Sequence, residues 1–399
     1  MAHTSYDYLI IGAGIVGAGL AAEIIQRKPG ARVLVAEKEA RAAFHQTGRN
    51  SGVVHSGVYY TPGSLKALFC REGLERLKAL CAARGIGYEA RGKLLVATND
   101  LEASRLDGLE TRAAQNGVQA ERLGLSQLRR LEPAITGQAA LRIPETAIID
   151  YTGVTEALLA DVENAGGVVQ LNAPVTRVSA AGSSYQVMVG GQTVQVGRVI
   201  ACTGLASDRV ARMLGIDPEI RILPFRGEYF VLPPALSQVV SHMIYPVPDP
   251  TLPFLGVHLT PMIDGTITVG PNAVLALARE KYTRFSIAPR DAIDTLTYPG
   301  LWKMLARHPR ATWNELKGSA SKRIYLDAVR KYCPQIQLSD LSVYRSANRA
   351  QAVRPDGTLV DDFLIKSKDG VTAILNAPSP AATCGLPIAA HIANLILQG

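Results

Sequence analysis

The chain has 399 residues, 47% hydrophobic and 19% charged, which is long enough for two domains around a large core. No stretch reaches the roughly 18 apolar residues of a membrane span, and the first residues lack the pattern of a secretion signal, so we expect a cytoplasmic protein. Five cysteines without a Cys-x-x-Cys pair indicate neither disulfides nor a metal centre. The net charge of +8 is dispersed rather than concentrated in runs, which argues against a nucleic-acid partner.

A strand, a glycine turn and a helix open the chain. An apolar run at 6–11 precedes three closely spaced glycines, and an apolar helical pattern follows them. In this context the first glycine permits a tight turn, the second lets backbone amides approach a pyrophosphate, and the third lets helix and strand pack closely. The predicted phosphate-facing residues are Gly12, Gly14, Ile15, Val16 and Gly17.

An acidic residue ends the second predicted strand, 32–36. Glu37 stands 20 residues beyond Gly17, with Lys38 beside it. A carboxylate at this position accepts hydrogen bonds from ribose hydroxyls and repels a 2′-phosphate. The pattern therefore predicts a bound dinucleotide, FAD or NAD rather than NADP.

The segment 44–60 combines glycine, hydroxyl, amide and imidazole groups at high density. Such a composition suits a backbone that passes close to a bound ring system, although a polar surface loop with incidental histidines is the alternative. The residues expected to line the cofactor here are Thr47, Asn50, Ser51 and Gly52.

The remainder alternates helices and strands and then becomes strand-rich. In chain order, the spacing predicts a helix at 64–84, a strand at 92–97, helices at 101–114 and 152–165, a strand at 168–171, a meander at 175–179, 185–189 and 193–196, an apolar strand at 199–203, mostly antiparallel strands over 224–345, a strand at 371–375 and a helix at 386–397.

Motifs dispersed over the chain carry a resemblance to a known family. They lie at 45–48, 50–60, 62–66, 224–229, 244–249, 253–258, 270–273, 349–351 and 376–383. On these residues the chain resembles the D-amino-acid-oxidase-like FAD superfamily, and most closely the L-2-hydroxyglutarate oxidase/dehydrogenase family. The resemblance implies an enzyme that uses FAD to oxidise L-2-hydroxyglutarate, or a close 2-hydroxy acid, and passes the electrons to a quinone or oxygen. It also implies cofactor contacts by Val175, Thr203, Gly204, Pro380, Ala381, Ala382 and Thr383.

We therefore predict an α/β (α+β) protein with two domains. A Rossmann-like FAD-binding domain would comprise the discontinuous segments 1–84, 151–223 and 346–399. A mostly antiparallel β substrate-binding domain would comprise 85–150 and 224–345.

Oxidation of a 2-hydroxy acid moves a hydride from Cα to flavin N5 while a base takes the hydroxyl proton. A neutral imidazole has a suitable pKa near pH 7, and the candidates are His55 first and His258 second. Arginine binds carboxylates bidentately, and the resemblance places Arg349 at the substrate carboxylate. The remaining candidates for substrate contacts are the cations Arg49, Lys66 and Arg226, one of which would hold a second carboxylate, and the hydroxyls of Tyr60 and Tyr245.

Two departures from the family pattern bear on the substrate. Arg49 stands where most relatives carry histidine, and the three residues before Arg349 are Ser346, Ala347 and Asn348. A flavin amine or amino-acid oxidase, and a non-enzymatic binding protein on the same fold, stay open as alternatives. The charge of +8 and the resemblance also lead us to expect peripheral contact with the inner face of the cell membrane.

Overall fold

The computed structural model describes residues 5–249, 256–307 and 322–398. Residues 253–255, which belong to the motif at 253–258, lie outside the described residues. No helix in the described part of the chain is long and apolar enough to cross a membrane.

The described residues form twenty strands and a set of helices. The strands are β1 (Ser5–Ile11), β2 (Val33–Ala36), β3 (Val53–Val54), β4 (Tyr88–Glu89), β5 (Lys93–Ala97), β6 (Glu121–Gly124), β7 (Ala139–Ile143), β8 (Ala147–Ile149), β9 (Val168–Gln170), β10 (Val175–Ala181), β11 (Ser184–Val189), β12 (Gln192–Ala201), β13 (Arg221–Val231), β14 (Met243–Pro246), β15 (His258–Pro261), β16 (Ile267–Gly270), β17 (Val274–Leu275), β18 (Ser342–Val353), β19 (Leu364–Lys368) and β20 (Val371–Asn376). The helices are α1 (Ile15–Arg27), α2 (Leu65–Arg84), α3 (Asp100–Gln115), α4 (Leu125–Leu131), α5 (Tyr151–Asn164), α6 (Ser207–Met213), α7 (Pro289–Leu296), α8 (Pro299–Arg307), α9 (Lys322–Arg330) and α10 (Gly385–Leu397).

An eight-stranded sheet carries the glycine turn. Its order is β10-β11-β12-β1-β2-β9, with β20 beside β12 and β19 beside β20. Strands β2, β1, β12 and β20 are parallel, and both faces of β1 are covered: Ile10 packs into one core with α1, α5 and α10, while Leu9 packs into another. This burial on both faces is typical of parallel sheets and explains the uninterrupted apolar runs.

One strand of this sheet differs from the sequence analysis. The two strands predicted at 193–196 and 199–203 form the single strand β12, so the prediction of a break between them was wrong. Gly197 lies at the supposed break, where a Cβ atom would come within 2.9 Å of the Asp7 carbonyl oxygen on β1. The glycine therefore permits close strand packing instead of a turn.

A nine-stranded sheet forms the second layer. Its order is β17-β13-β16-β15-β14-β5-β7-β6, with β18 beside β13. Among the described strands of this sheet only β5 and β14 pair in parallel, so the expectation of a mostly antiparallel sheet is confirmed. The strand-rich region also contains α7, α8 and α9, which the sequence analysis did not predict.

The pairing of β13 with β18 bears on the predicted domain boundaries. These strands pair from Arg221 opposite Val353 to Val231 opposite Ser342, so the boundaries after 223 and after 345 fall inside them. A third sheet, β3-β8-β4, joins segments from both predicted domains. The exact division of the chain into domains stays a prediction.

Candidate active site

The glycine turn between β1 and α1 has room for backbone only. Gly12 has φ +106°, and a Cβ atom there would lie 2.6 Å from the Cys202 carbonyl oxygen at the end of β12. A Cβ atom on Gly17 would lie 2.0 Å from the Gly12 carbonyl oxygen. Because only glycine fits at both positions, the start of α1 is held close to the ends of two strands, with its first amides unused by the helix itself.

Side chains from two neighbouring segments border this turn. Glu37 is 8% exposed, and its Oε2 accepts a hydrogen bond of 2.9 Å from the Ala13 amide. The Thr47 hydroxyl accepts a 3.1 Å hydrogen bond from the Ile15 amide, so the loop predicted to line the cofactor does reach the start of α1. A carboxylate for ribose and helical amides for phosphate thus lie together, as a dinucleotide requires.

The turn after β12 converges on the same place. The Thr203 hydroxyl is buried without a hydrogen-bond partner among the described residues. Gly204 has φ +46°, and a Cβ atom there would lie 2.4 Å from Gln46 Oε1. Val175 is partly buried at the start of β10. The glycine turn, the Thr47 loop and the Thr203-Gly204 turn therefore form one cradle whose residues fit FAD.

Two predicted cofactor residues are engaged elsewhere in the protein. The Lys38 ammonium group binds the carboxylates of Glu39 and Glu280. Both polar ends of the Asn50 amide are used locally, because it donates to the Thr47 carbonyl and accepts from the Gly52 amide, both at 2.8 Å. These two side chains shape the loop around the cradle.

The loop before α10 positions His55. The Thr383 hydroxyl accepts a 3.1 Å hydrogen bond from the His55 amide and lies 3.0 Å from the Tyr151 hydroxyl. A Cβ atom on Gly73 would lie 2.0 Å from the Thr383 carbonyl oxygen, so α2 packs directly against this loop. The other predicted cofactor residues of the loop are Pro380, Ala381 and Ala382, which precede α10 without belonging to it.

One face of the nine-stranded sheet carries ionisable side chains. Alternate residues of β5, β14 and β15 pack into the core on the far side of the sheet, namely Leu94, Ile244 and Leu259. Since neighbours along a strand point to opposite faces, Lys93, Tyr245 and His258 share the near side, which we call the pocket face. Arg349 on β18 lies close enough to influence the pKa of His258.

His258 has a defined tautomer. Its Nδ1 lies 2.9 Å from the Gly256 carbonyl oxygen, and a carbonyl can only accept, so Nδ1 carries the proton and Nε2 has a free electron pair. The ring stacks on Tyr245 with 3.9 Å between centroids. Burial lowers the pKa of His258 to about 3, with the Gly256 hydrogen bond opposing and Arg349 and Lys93 adding to the effect.

His55 belongs to the same group of side chains. Burial lowers its pKa to about 3, and the charges of Lys93, of Arg349 and of His258 when it is protonated act in the same direction. Its Nδ1 is buried and has no hydrogen-bond partner in the described part of the chain. Both predicted imidazoles are therefore neutral at pH 7 and lie near the same two cations.

Lys93 was not singled out by the sequence analysis. Its side chain is fully buried, with Nζ 4.5 Å from the Tyr59 ring centroid and 5.3 Å from that of Tyr245. Burial lowers the pKa of Lys93 to about 7. The available signal was a lysine in phase with Leu95 at the start of an apolar strand, which is easily taken for a solvated strand end.

The other predicted substrate contacts are distributed around this group. Tyr60 borders it, since Tyr59 and Tyr245 influence its pKa, which burial raises. Lys66 lies 5.9 Å from the Tyr60 ring centroid, on the side of Asp361 and Asp362.

Arg226 and Asn348 lie away from the pocket face. They pair across β13 and β18 and so point to the face opposite Arg349. Arg226 forms a 2.9 Å ion pair with Glu228. Asn348 donates a 2.8 Å hydrogen bond to the Arg279 carbonyl, so this side chain anchors a neighbouring segment.

Arg49 lies at a cleft between the cofactor loop and the nine-stranded sheet. Its guanidinium is 3.9 Å from the Tyr282 ring centroid, and burial lowers its pKa. The cleft is lined by Arg49, Asn50, Ser51, Tyr229, Met262, Thr268, Tyr344 and Arg345. Arg49 therefore lines this cleft beside Asn50 and Ser51 of the cofactor loop.

Residues 7–395 match the family described as FAD dependent oxidoreductase (DAO). The L-2-hydroxyglutarate dehydrogenase of Escherichia coli K12 is 47% identical over 393 residues, which covers 98% of this chain and 93% of that protein. The mitochondrial L-2-hydroxyglutarate dehydrogenase of Caenorhabditis elegans is 41% identical, with 98% and 92% covered.

Solved structures share the fold at low identity. The FAD-bound L-α-glycerophosphate oxidase of Mycoplasma pneumoniae superposes with a TM-score of 0.80 at 21% identity, covering 98% of this chain and 95% of that one. The glycine oxidase of Geobacillus kaustophilus gives a TM-score of 0.75 at 16% identity, with 100% and 95% covered. The cradle and the near full-length matches show that FAD is the cofactor. The chain belongs to the DAO family of FAD-dependent oxidoreductases and, within it, to the family of the L-2-hydroxyglutarate dehydrogenases.

Proposed function

We propose that this enzyme oxidises L-2-hydroxyglutarate to 2-oxoglutarate. The supporting observation is the group formed by His55, His258, Lys93 and Arg349, which combines neutral imidazoles with cations and is tied to the loop before α10 through the His55 amide and Thr383. A dicarboxylic 2-hydroxy acid needs both, since its hydroxyl must lose a proton and its two carboxylates need counter-charges. The name carried by relatives up to 47% identical agrees with this chemistry.

Bound FAD supplies the acceptor for the hydride that leaves the substrate Cα. His258 takes the hydroxyl proton at Nε2, because its Nδ1 is already protonated and held by the Gly256 carbonyl. Stacking on Tyr245 fixes the plane of the imidazole ring. Burial is the main cause of the low pKa of His258, and Arg349 and Lys93 add to it. Two bound carboxylates offset the contribution of these cations, so the base gains proton affinity once the substrate is in place.

Arg349 holds the carboxylate next to the reacting carbon. Its charge acts on both imidazoles, so a carboxylate on its guanidinium lies beside the base. His55, whose amide is tied to Thr383, binds the hydroxyl or carboxylate oxygen of the substrate through its side chain.

The test is an anaerobic titration of the purified yellow holoprotein. We expect L-2-hydroxyglutarate to bleach the visible absorbance of the flavin and to yield one 2-oxoglutarate per FAD. The D enantiomer, glycine and L-α-glycerophosphate serve as comparison substrates. Bleaching by an amino acid but not by the hydroxy acid would overturn the proposal in favour of amine oxidation, and a colourless protein that takes up no FAD would favour the binding-protein alternative.

For the electron acceptor we propose a quinone reached by peripheral contact with an anionic membrane. An apolar and basic patch supports this contact. Phe285, Ile293 and Trp302 are 81%, 62% and 56% exposed. The patch is segment 281–307, which exposes the large apolar residues Phe285, Ile287, Ile293, Leu296 and Trp302 and the cations Lys281, Arg284, Arg290, Lys303 and Arg307. Such a mixture matches the acyl boundary and the headgroups of an anionic bilayer.

The patch carries an excess of positive charge. Segment 281–307 is described throughout, and its two acidic residues, Asp291 and Asp294, are both paired with Arg209. The patch also borders the cleft, because Tyr282, at its edge, contacts Arg49. A quinone in the membrane would therefore lie near the cleft that Asn50 and Ser51 of the cofactor loop line.

Sedimentation with vesicles tests this contact. We expect the holoprotein to bind phosphatidylglycerol vesicles, to bind phosphatidylcholine vesicles weakly, and to be released by high salt. A double variant, Phe285→Ser with Trp302→Ser, should lose the binding, while Leu101→Ser on α3, also an exposed apolar residue, should retain it. Equal binding to both lipids, or self-association that the double variant abolishes, would overturn the proposal.

A further inference from the structure

Lys93 is a buried ammonium group without an anionic partner. It is fully buried at the start of β5, and among the described residues Nζ has neither a hydrogen-bond partner nor an ion pair. Its contacts are the faces of the Tyr59 and Tyr245 rings. Because a buried cation is costly unless an anion accompanies it, this arrangement indicates a place for an anion that the chain itself does not supply.

Two observations place Lys93 near the two candidate bases, His55 and His258. It shares the pocket face with Tyr245 and His258 on the two strands beyond it. Its charge acts on both His55 and His258, as does that of Arg349. A ligand at the imidazoles would therefore have a cation within reach on each side.

We propose that Lys93 binds the distal carboxylate of the substrate and so determines the preference for dicarboxylic over monocarboxylic 2-hydroxy acids. The inference rests on the proposed function and deepens it. With Arg349 at the carboxylate beside the reacting carbon, Lys93 provides the second counter-charge.

The other cations considered for this role are less suitable. Arg226 is paired with Glu228 on the opposite side of the sheet, and Lys66 lies on the side of two aspartates. Arg49 lies against the Tyr282 ring and donates to the Phe44 carbonyl at the cleft. Lys93 is more deeply buried than Arg49 and Lys66, and unlike the buried Arg226 it has no ion pair among the described residues. Burial removes water as a competing partner, which strengthens its attraction for a carboxylate.

The experiment compares two substrates that differ only at the far end. L-2-hydroxyglutarate carries a carboxylate where L-2-hydroxypentanoate carries a methyl group. For Lys93→Met we expect kcat/KM for the dicarboxylate to fall about a hundredfold, mainly through KM, as for the loss of a charge-assisted hydrogen bond. The value for the monocarboxylate should change by less than about threefold, so the preference collapses. Lys93→Arg should retain part of it, and Lys78→Met, on the exposed side of α2, is the control.

A binding measurement separates this proposal from the proposed function. Glutarate has no hydroxyl to oxidise, and its binding to the holoprotein can be followed by the perturbation of the flavin spectrum. Wild type should bind glutarate more tightly than pentanoate, and Lys93→Met should bind them equally. The proposal is overturned if Lys93→Met lowers kcat for both substrates by the same factor and still prefers glutarate over pentanoate. Lys93 would then act in proton transfer or folding, and the proposed oxidation of L-2-hydroxyglutarate could still hold. If wild type fails to oxidise L-2-hydroxyglutarate, the proposed function falls while the glutarate comparison still decides the role of Lys93.

Discussion

The cradle at the eight-stranded sheet and the pocket face of the nine-stranded sheet both suit anionic ligands, but they are made of different groups. In the cradle the important groups are backbone amides and glycines without room for a Cβ atom, such as Gly12 and Gly17. On the pocket face they are buried ionisable side chains, Lys93 and His258, with Arg349 nearby.

The difference has a physical consequence for how each site responds to change. Backbone amides do not titrate, so the anion-binding amides of the cradle are the same at every pH, and the cradle is very sensitive to added volume. Buried side chains change charge with their surroundings, so the pocket face is sensitive to charge and pH and tolerates a substitution of similar size. The predictions that follow test this contrast.

The largest effect is expected at Gly17. The methyl group of Gly17→Ala would lie 2.0 Å from the Gly12 carbonyl oxygen, and because that oxygen belongs to the backbone the turn itself must move. We expect the purified variant to retain almost no FAD, as measured by the flavin-to-protein absorbance ratio, and to lose activity in proportion.

The matched control is Gly108→Ala, on the exposed side of α3, where a Cβ atom meets nothing within 4 Å. Alanine in a helix interior should stabilise that variant by about 0.5–1 kcal/mol and leave its flavin content unchanged. A Gly17→Ala protein with a full complement of FAD would show that the cradle does not depend on this close approach.

The next largest effect is expected on kcat, for a substitution of His258 on the pocket face. Glutamine retains a donor for the Gly256 carbonyl but cannot accept a proton near neutral pH, so His258→Gln should lower kcat by about 10²–10⁴. Flavin content should stay at the wild-type level, because the cradle is made from other residues. Rapid-mixing measurement of anaerobic flavin reduction gives the rate of the chemical step directly.

His55→Gln is the comparison variant. We expect it to raise KM and to lower kcat less than His258→Gln, because its role is to bind the substrate. The reverse order of the two kcat values would assign the base to His55, which was the first candidate from the sequence.

The same contrast explains which parts of the site could be predicted from the sequence alone. Gly12, Gly17 and Glu37 lie within one continuous stretch, so their spacing was sufficient to predict the cradle. Gly197 shows the limit, since the sequence does not tell a glycine at a turn from one that lets a neighbouring strand approach.

The pocket face could be predicted only in part, because its residues come from β5, β14, β15 and β18. His258 and Arg349 were found from residue type and family resemblance. Lys93 was missed because its burial depends on strands more than a hundred residues away, beginning with Met243 beside it on β14. Arg226 was a candidate from residue type, and only the register of β13 and β18 reveals that it lies on the opposite face.

The smallest predicted effect concerns the stability of the folded protein. Burial lowers the pKa of Lys93 from 10.5 to about 7, so between these values the unfolded chain holds a proton that the folded chain does not. The free energy of unfolding of wild type should therefore rise with pH across this window, and below pH 7 the full cost of burying the charge remains. The ionisable groups near Lys93 are His55, Tyr59, Cys70, Tyr245 and His258.

Lys93→Met removes this cost while keeping the volume of the side chain. We expect it to raise the free energy of unfolding at pH 7 by about 1–4 kcal/mol in denaturant titrations at saturating FAD, and the gain should shrink toward pH 10. The exposed control Lys78→Met should stay within about 0.5 kcal/mol of wild type. A variant that is less stable by the same amount at both pH values would mean that the ammonium group contributes to the fold itself. The predicted outcome, a more stable protein that no longer prefers a dicarboxylate, would mean that the buried charge is maintained for the ligand at the expense of stability.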